Sequence, residues 1–292
     1  MKGGGLVLFT LFVQSSKDHL SEAISYWNDK FNAIYDILTT NPQDFQGGTA
    51  WSTVTNILNA LESIGATLLI LFFFYGLFKM SLDVRDYTRN PKLALFAFAR
   101  VGIAEFFVTH TTEILVRVIT IVQGIVSKVP RTMLASVEFV PDEIDNALEN
   151  ADWWSKLGAW ASTLVGKWII MALVIIVIVI VYERFFKIFL LTAIAPIPIA
   201  GFSSDTTTSF GMNFLKSYTC ELLRGVVMLV ACNLFSTFIK SDEITRMIVS
   251  STSSGWTVTG YVMDLIMQLL LLVITIKGSD RLVKEIFGLG GA

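Results

Sequence analysis

Residues Lys167 to Phe202 read KWIIMALVIIVIVIVYERFFKIFLLTAIAPIPIAGF. Trp168 to Tyr182 is one continuous, β-branched apolar run, and a run this long and apolar is a membrane segment. Charge follows at Glu183, Arg184 and Lys187, then a second apolar stretch ends at Ala195-Pro196-Ile197-Pro198. Glu183-Arg184 is not a turn dipeptide, so it does not divide two ordinary spans. The two prolines break the far end. The expectation is one full span joined to a broken half-helix, with Arg184, Lys187, Pro196 and Pro198 marking a break on the cytoplasmic side. Proline frees backbone carbonyls, which is tolerated only inside protein or against water. The break therefore suits either a re-entrant gate or a surface-hugging connector.

The rest of the chain agrees with a membrane setting. Of 292 residues, 53% are hydrophobic and only 16% charged, against ~25% charged in soluble domains. The expected fold class is all-α: a polytopic helical membrane protein of about five transmembrane helices plus the proline-broken re-entrant or interfacial segment. The spans are Ile57–Phe78, Leu93–Val126, the run from Trp168, Leu222–Ile239 and Val258–Ile276. Leu93–Val126 exceeds the hydrocarbon thickness and must tilt, protrude or break near Thr109-His110-Thr111-Thr112.

Outside the spans, residues 1–16 read as either a signal peptide or an N-terminal anchor. Residues 17–56 form an external amphipathic segment, because Ile24, Trp27, Phe31, Ile34 and Leu38 recur at helical spacing. Its apolar face suits the membrane surface or a partner. Asn41-Pro42 and Gly47-Gly48 end that helix. Residues 57–287 make a single membrane domain with an external loop at 127–163, and 288–292 a flexible glycine-rich tail. In the loop, Pro141-Asp142-Glu143 resembles a helix start. Trp153, Trp154 and Trp160 suit an interfacial aromatic belt.

With five spans, the loops Lys79–Lys92, Glu183–Arg224 and Lys277–Ala292 carry eleven Lys/Arg, against seven on the longer opposite side. The positive-inside rule then predicts an external N-terminus and a cytoplasmic C-terminus. A sixth crossing by Phe185–Phe202 would put the C-terminal cations outside.

No motif of hydrolytic, phosphate-binding or metal chemistry is present. Cys220 and Cys232 have no metal-ligand spacing, and His19 and His110 have no nearby ligand partners. The chain reads as non-enzymatic, with no catalytic residue, cofactor or metal. Its informative residues are polar groups within apolar helices. Glu105, His110, Glu113 and Arg117 lie in the second expected span, Asn233 in the fourth, and Tyr261, Asp264 and Gln268 in the last. They serve either as the lining of a hydrated path or as static helix–helix glue, with Glu113 pairing Arg117. The external loop is net acidic and repels phosphate, so DNA is considered only as a transported substrate.

This layout resembles the TrbL family, which includes the sixth VirB subunit, the polytopic inner-membrane component of type IV secretion and conjugation machines. The local likeness runs from Tyr182-Glu183-Arg184 through Phe189-Leu190-Leu191-Thr192-Ala193-Ile194-Ala195-Pro196-Ile197-Pro198-Ile199-Ala200. Phe210 to Leu234 and Lys277-Gly278-Ser279-Asp280-Arg281 add to it. The pattern looks most like versions from conjugative elements of Gram-positive bacteria. The resemblance implies a channel or scaffold subunit of a conjugative type IV secretion system in the bacterial cytoplasmic membrane. It implies other secretion subunits as partners, including cytoplasmic ATPases, and a homo-oligomer around a DNA–protein substrate. The alternatives are a stand-alone small-solute transporter and a pore-forming lysis protein. A transporter usually shows matching broken helices in two halves, and only one broken segment stands out here.

Overall fold

The structure is a computed structural model, described here for residues 3–82, 92–129, 152–239 and 257–289. Eight α-helices carry the described residues, and no strand occurs among them. They are α1 (Gly3–Thr39), α2 (Thr49–Leu82), α3 (Lys92–Thr109), α4 (Thr111–Val126), α5 (Trp153–Ile194), α6 (Pro196–Ile199), α7 (Thr208–Ile239) and α8 (Thr257–Ile286). Four of them, α2, α5, α7 and α8, are long and apolar enough to cross a membrane. The fold is therefore an all-α, polytopic one. The sequence expectation at Pro141 lies outside the described residues.

The chain divides into two compact units. The first combines Met1–Leu38, Val129–Val181 and Val227–Gly278. Its organising element is α1, whose Leu20, Ala23, Ile24, Trp27, Phe31, Ile34, Tyr35 and Leu38 are all buried. That stripe is the helical period read from the sequence, and it is covered by the protein itself. Phe12 meets Trp153 and Trp160 edge-on, each at 5.8 Å, and Trp160 Nε1 donates to Ser15 Oγ at 3.3 Å. Lys167 pairs with Glu22. The Lys167 ammonium holds the Glu22 carboxyl below the usual carboxylate range. On α8, Val262 approaches Gly166 so closely that a side chain there would collide.

Three boundaries differ from the sequence expectations. Residues 3–16 and 17–39 are one unbroken helix, because nothing between Gln14 and Lys17 breaks it and Ser16 Oγ only bonds back to Phe12 O. The helix α5 starts at Trp153, inside the expected 127–163 loop. The sequence from Trp153 to Thr163 is polar-aromatic, which suggested a loop, yet it holds no proline and one glycine. The expected span Leu93–Val126 is two helices, α3 and α4, and neither is among the four apolar enough to cross. The break is at His110, where φ/ψ is −106°/22°. Thr109 and Thr111 bond back to the carbonyls of Glu105 and Phe107, and His110 Nδ1 lies 3.0 Å from Phe106 O. Local side-chain bonds of this kind compete with the helical ladder.

The second unit combines Thr39–Lys128, Tyr182–Val226 and Ser279–Ala292. Its core gathers Leu58, Leu69, Ala104, Val108, Leu115 and Ile119 around Ala195, Ile199 and Ala200. The proline segment is thus packed at the centre of a protein core, where the carbonyls freed by proline are tolerated. The chain keeps right-handed helical backbone at Ala195 and through α6, then tightens into a 3₁₀ turn, Ala200–Ser203. Close approach is made possible by glycines on α2. A Cβ at Gly65 would lie 2.8 Å from the Pro196 carbonyl oxygen, and one at Gly76 would lie 2.2 Å from Ser204 Oγ. The two glycines are three helical turns apart and share one face. The opposite side of α2 exposes Ile64, Leu71, Phe74, Tyr75 and Phe78. A helix with one small-residue face and an apolar remainder is suited to lipid.

Candidate functional site: a buried charge layer

Within the second unit, α5 and α7 run antiparallel. Thr192 Oγ1 donates to Tyr218 Oη at 3.2 Å, and eight residues earlier Arg184 meets the α7 backbone near Glu221. Here apolar helices bring charge together. Arg184 and Arg224 are each 3% exposed and Glu221 is 6% exposed. Arg184 Nε donates to Glu221 O and Nη2 to Leu222 O, both at 3.3 Å. Its guanidinium rests against Gly225, where a Cβ would come within 2.2 Å of Cζ. A glycine at this one position gives the guanidinium room against the helix backbone.

Around that seat the other charges pair. Lys187 holds Glu183 at 2.8 Å within α5 and lies 3.9 Å from Glu221. Arg224 reaches Glu221 at 3.4 Å, Glu183 at 3.6 Å and Asp280 at 3.8 Å. Lys284 holds Asp280 at 2.9 Å. The layer therefore links α5, α7 and α8. Arg184 Nη1 and Arg224 Nε are buried without a hydrogen-bond partner among the described residues. Burying an ion costs several kcal/mol even after relaxation, and removing one partner of a buried pair costs ~3–5 kcal/mol. A layer of this kind fixes how helices meet. Beside it, Phe45 stacks on Phe185 at 4.3 Å.

Of the residues singled out from the sequence, the structure brings Arg184 and Lys187 into this layer. Their expected place in a loop is corrected: Glu183–Arg224 is mostly helix, and Arg184 and Arg224 are internal charges. Pro196 is buried against Gly65 and Pro198 is half-buried nearby. In the first unit, Gln268 Nε2 donates to Asp264 Oδ2 at 2.9 Å, both residues buried, with Tyr261 and Asn233 half-buried. Glu105, Glu113 and Arg117 are exposed, and His110 stacks on Phe106 at 4.3 Å. No ion pair joins Glu113 to Arg117, so that pairing is not the glue here. Glu221, Arg224 and Asp280 were not singled out as site residues from the sequence. Their signal was charge at i, i+3 on α7 and at the end of α8, matching Glu183, Arg184 and Lys187 on α5.

The layer offers no nucleophile–base pair. Among the described residues, no group of His, Cys, Asp and Glu could hold a metal ion, and both cysteines are free and buried.

The fold and this layer define a multi-pass α-helical membrane protein with ionisable side chains held between its helices. Residues 27–196 match the family model described as TrbL/VirB6 plasmid conjugal transfer like protein. That is more than half of the chain, and the chain belongs to this family. Membership implies a component of the conjugal transfer, type IV secretion apparatus. No curated protein and no solved structure matches the chain.

Proposed function

We propose that the chain is a non-enzymatic channel or scaffold subunit of a conjugative type IV secretion complex. It assembles as a homo-oligomer in the bacterial cytoplasmic membrane, beside cytoplasmic ATPases, and assists passage of a DNA–protein substrate. The observation that carries this reading is the buried charge layer of α5, α7 and α8 in a chain of the conjugal transfer family. Ionised groups this far inside apolar helices have a functional or helix-specifying role by default. The proposed orientation has the N-terminus outside and the C-terminus cytoplasmic, which needs an odd number of crossings, so α3 and α4 together make a fifth beside the four long apolar helices. Arg184 and Arg224 are internal, so the charge bias rests on Lys79–Lys92 and on Lys277, Arg281 and Lys284.

The test is deletion of the gene in a conjugation-competent donor. Transfer is expected to stop, to return with the intact gene, and to stay absent with Arg224→Ala at equal membrane abundance. Undiminished transfer in the deletion strain refutes the reading. For orientation, Arg281→Cys, whose parent side chain is 86% exposed, should label with an impermeant maleimide only after the cells are opened. Solute uptake by the purified chain alone in liposomes would instead support a stand-alone transporter.

A further inference from the structure

A cavity of about 530 Å³ lies in the second unit between α2, α3, the 3₁₀ turn and the start of α7. That is within the ~300–1,000 Å³ range of small-molecule sites. Its walls are largely aromatic and aliphatic, with Phe73, Phe107 and Ile103 among them. One end is polar. Arg100 and Asp205 line it and form an ion pair there, with the Asp205 side chain 74% exposed. Ser203 lines the same cavity; it is 2% exposed, and its Oγ has no hydrogen-bond partner among the described residues. A buried hydroxyl left unpartnered costs ~1–3 kcal/mol, and a ligand oxygen would satisfy it.

The location narrows the ligand. Phe73, Gly76 and Leu77 belong to the last turns of α2 before Lys79, where an apolar span gives way to charge. Phe74, Phe78, Phe98 and Phe106, on the helices that wall the cavity, are exposed apolar side chains suited to lipid. The pole thus lies at headgroup depth, and an apolar recess opens beside it. Its two charges are of opposite sign and adjacent. Arg100 suits a phosphate through charge-assisted, bidentate bonds. Asp205 suits an ammonium that still carries N–H donors.

We propose that this cavity is a binding site for one zwitterionic phospholipid with a primary-amine headgroup, of the phosphatidylethanolamine class. An acyl chain fills the Phe-lined recess, the phosphate takes Arg100 and the Ser203 hydroxyl, and the ammonium takes Asp205. A trimethylated ammonium lacks the N–H donors for Asp205, and an uncharged glycerol head leaves Asp205 facing an anion.

The full chain, delipidated in mild detergent, is titrated with phosphatidylethanolamine, phosphatidylcholine and phosphatidylglycerol of identical acyl chains and read by native mass spectrometry. One phosphatidylethanolamine is expected per chain, with the other two weaker. Arg100→Gln should weaken retention about tenfold, the loss of one charge-assisted bond. Ile103→Trp should abolish retention by filling the recess. Asp205→Asn should erase the preference for the primary amine. Asp205 is exposed, so this last variant folds independently of the cavity and decides the headgroup assignment by itself. No retention by the wild-type chain, equal retention of all three lipids, or an intact preference in Asp205→Asn overturns the proposal.

Discussion

Gly225→Ala isolates the seat of Arg184. A methyl group at this position would stand 2.2 Å from Cζ, 2.3 Å from Nη2 and 2.7 Å from Nε of Arg184. The guanidinium is the end of a flexible side chain, so it leaves and the helices stay. Leaving breaks its bonds to Glu221 O and Leu222 O. At 3.3 Å these are long, and ~1.5 kcal/mol each is a fair value for bonds to a charged group. The loss is ~3 kcal/mol, offset by ~1 kcal/mol because alanine favours a helix interior over glycine. A net destabilisation of ~2 kcal/mol follows, equivalent to about thirtyfold in an opening equilibrium. Cys220 is free, buried and adjacent to Glu221. Its labelling by a maleimide in mild detergent should therefore accelerate about thirtyfold, provided reclosing is faster than labelling. In an Arg184→Ala background the same glycine substitution meets no guanidinium and should stabilise by ~1 kcal/mol. The two effects differ by ~3 kcal/mol, which a double-mutant cycle resolves. If Gly225→Ala slows labelling in the wild-type chain, or has the same effect in both backgrounds, Arg184 is not seated as described.

Gly65→Ala places its methyl 2.8 Å from a backbone oxygen that cannot swing away, so the chain should lose the ~1–3 kcal/mol of an overpacked core and melt at a lower temperature. Gly102→Ala, with nothing within 4 Å, should add about 1 kcal/mol of stability and raise the melting temperature. Asp264→Asn should impair conjugal transfer while membrane abundance stays normal; a matching fall in abundance would assign Asp264 and Gln268 to helix packing alone. Glu22 has its pKa lowered by Lys167, so the pair contributes stability at neutral pH that is lost as the pH falls through that lowered value. Glu22→Gln should flatten this acid limb of a melting-temperature profile, and an unchanged limb would remove the pair from the account.

What the sequence revealed was local. The α1 stripe of Ile24, Trp27, Phe31, Ile34 and Leu38 needs only a helical period to be seen. The helix stop before Asn41-Pro42 and the positive φ at Gly47 and Gly48 follow from residue chemistry. The proline break at 196 and 198 was equally visible, but its surroundings were not. Gly65 and Gly76 look like incidental glycines in an apolar span until Pro196 and Ser204 are placed against them. The charge layer was hidden for the same reason. Glu183 and Arg184 were read beside Glu221 and Arg224 as loop charges, because an isolated charge at a span's edge normally snorkels to water. Only antiparallel pairing of α5 with α7 turns those edges toward each other. The break at His110 was one of three outcomes open from the sequence, and the back-bonds of Thr109 and Thr111 selected it.

The seat of Arg184 also limits how α5 and α7 can move at this level. Advancing α7 by one residue, about 1.5 Å, would present Arg224 or Val226 in place of Gly225. A full turn would present Glu221 or Leu229. Each of these carries a Cβ where the guanidinium lies. Shear between packed helices proceeds by small slides of this kind, and here every slide meets an obstruction. The two helices consequently share one register, held like a pin in a single hole. They separate by withdrawal of the pin, with the loss of both carbonyl bonds at once, and not by gradual slippage.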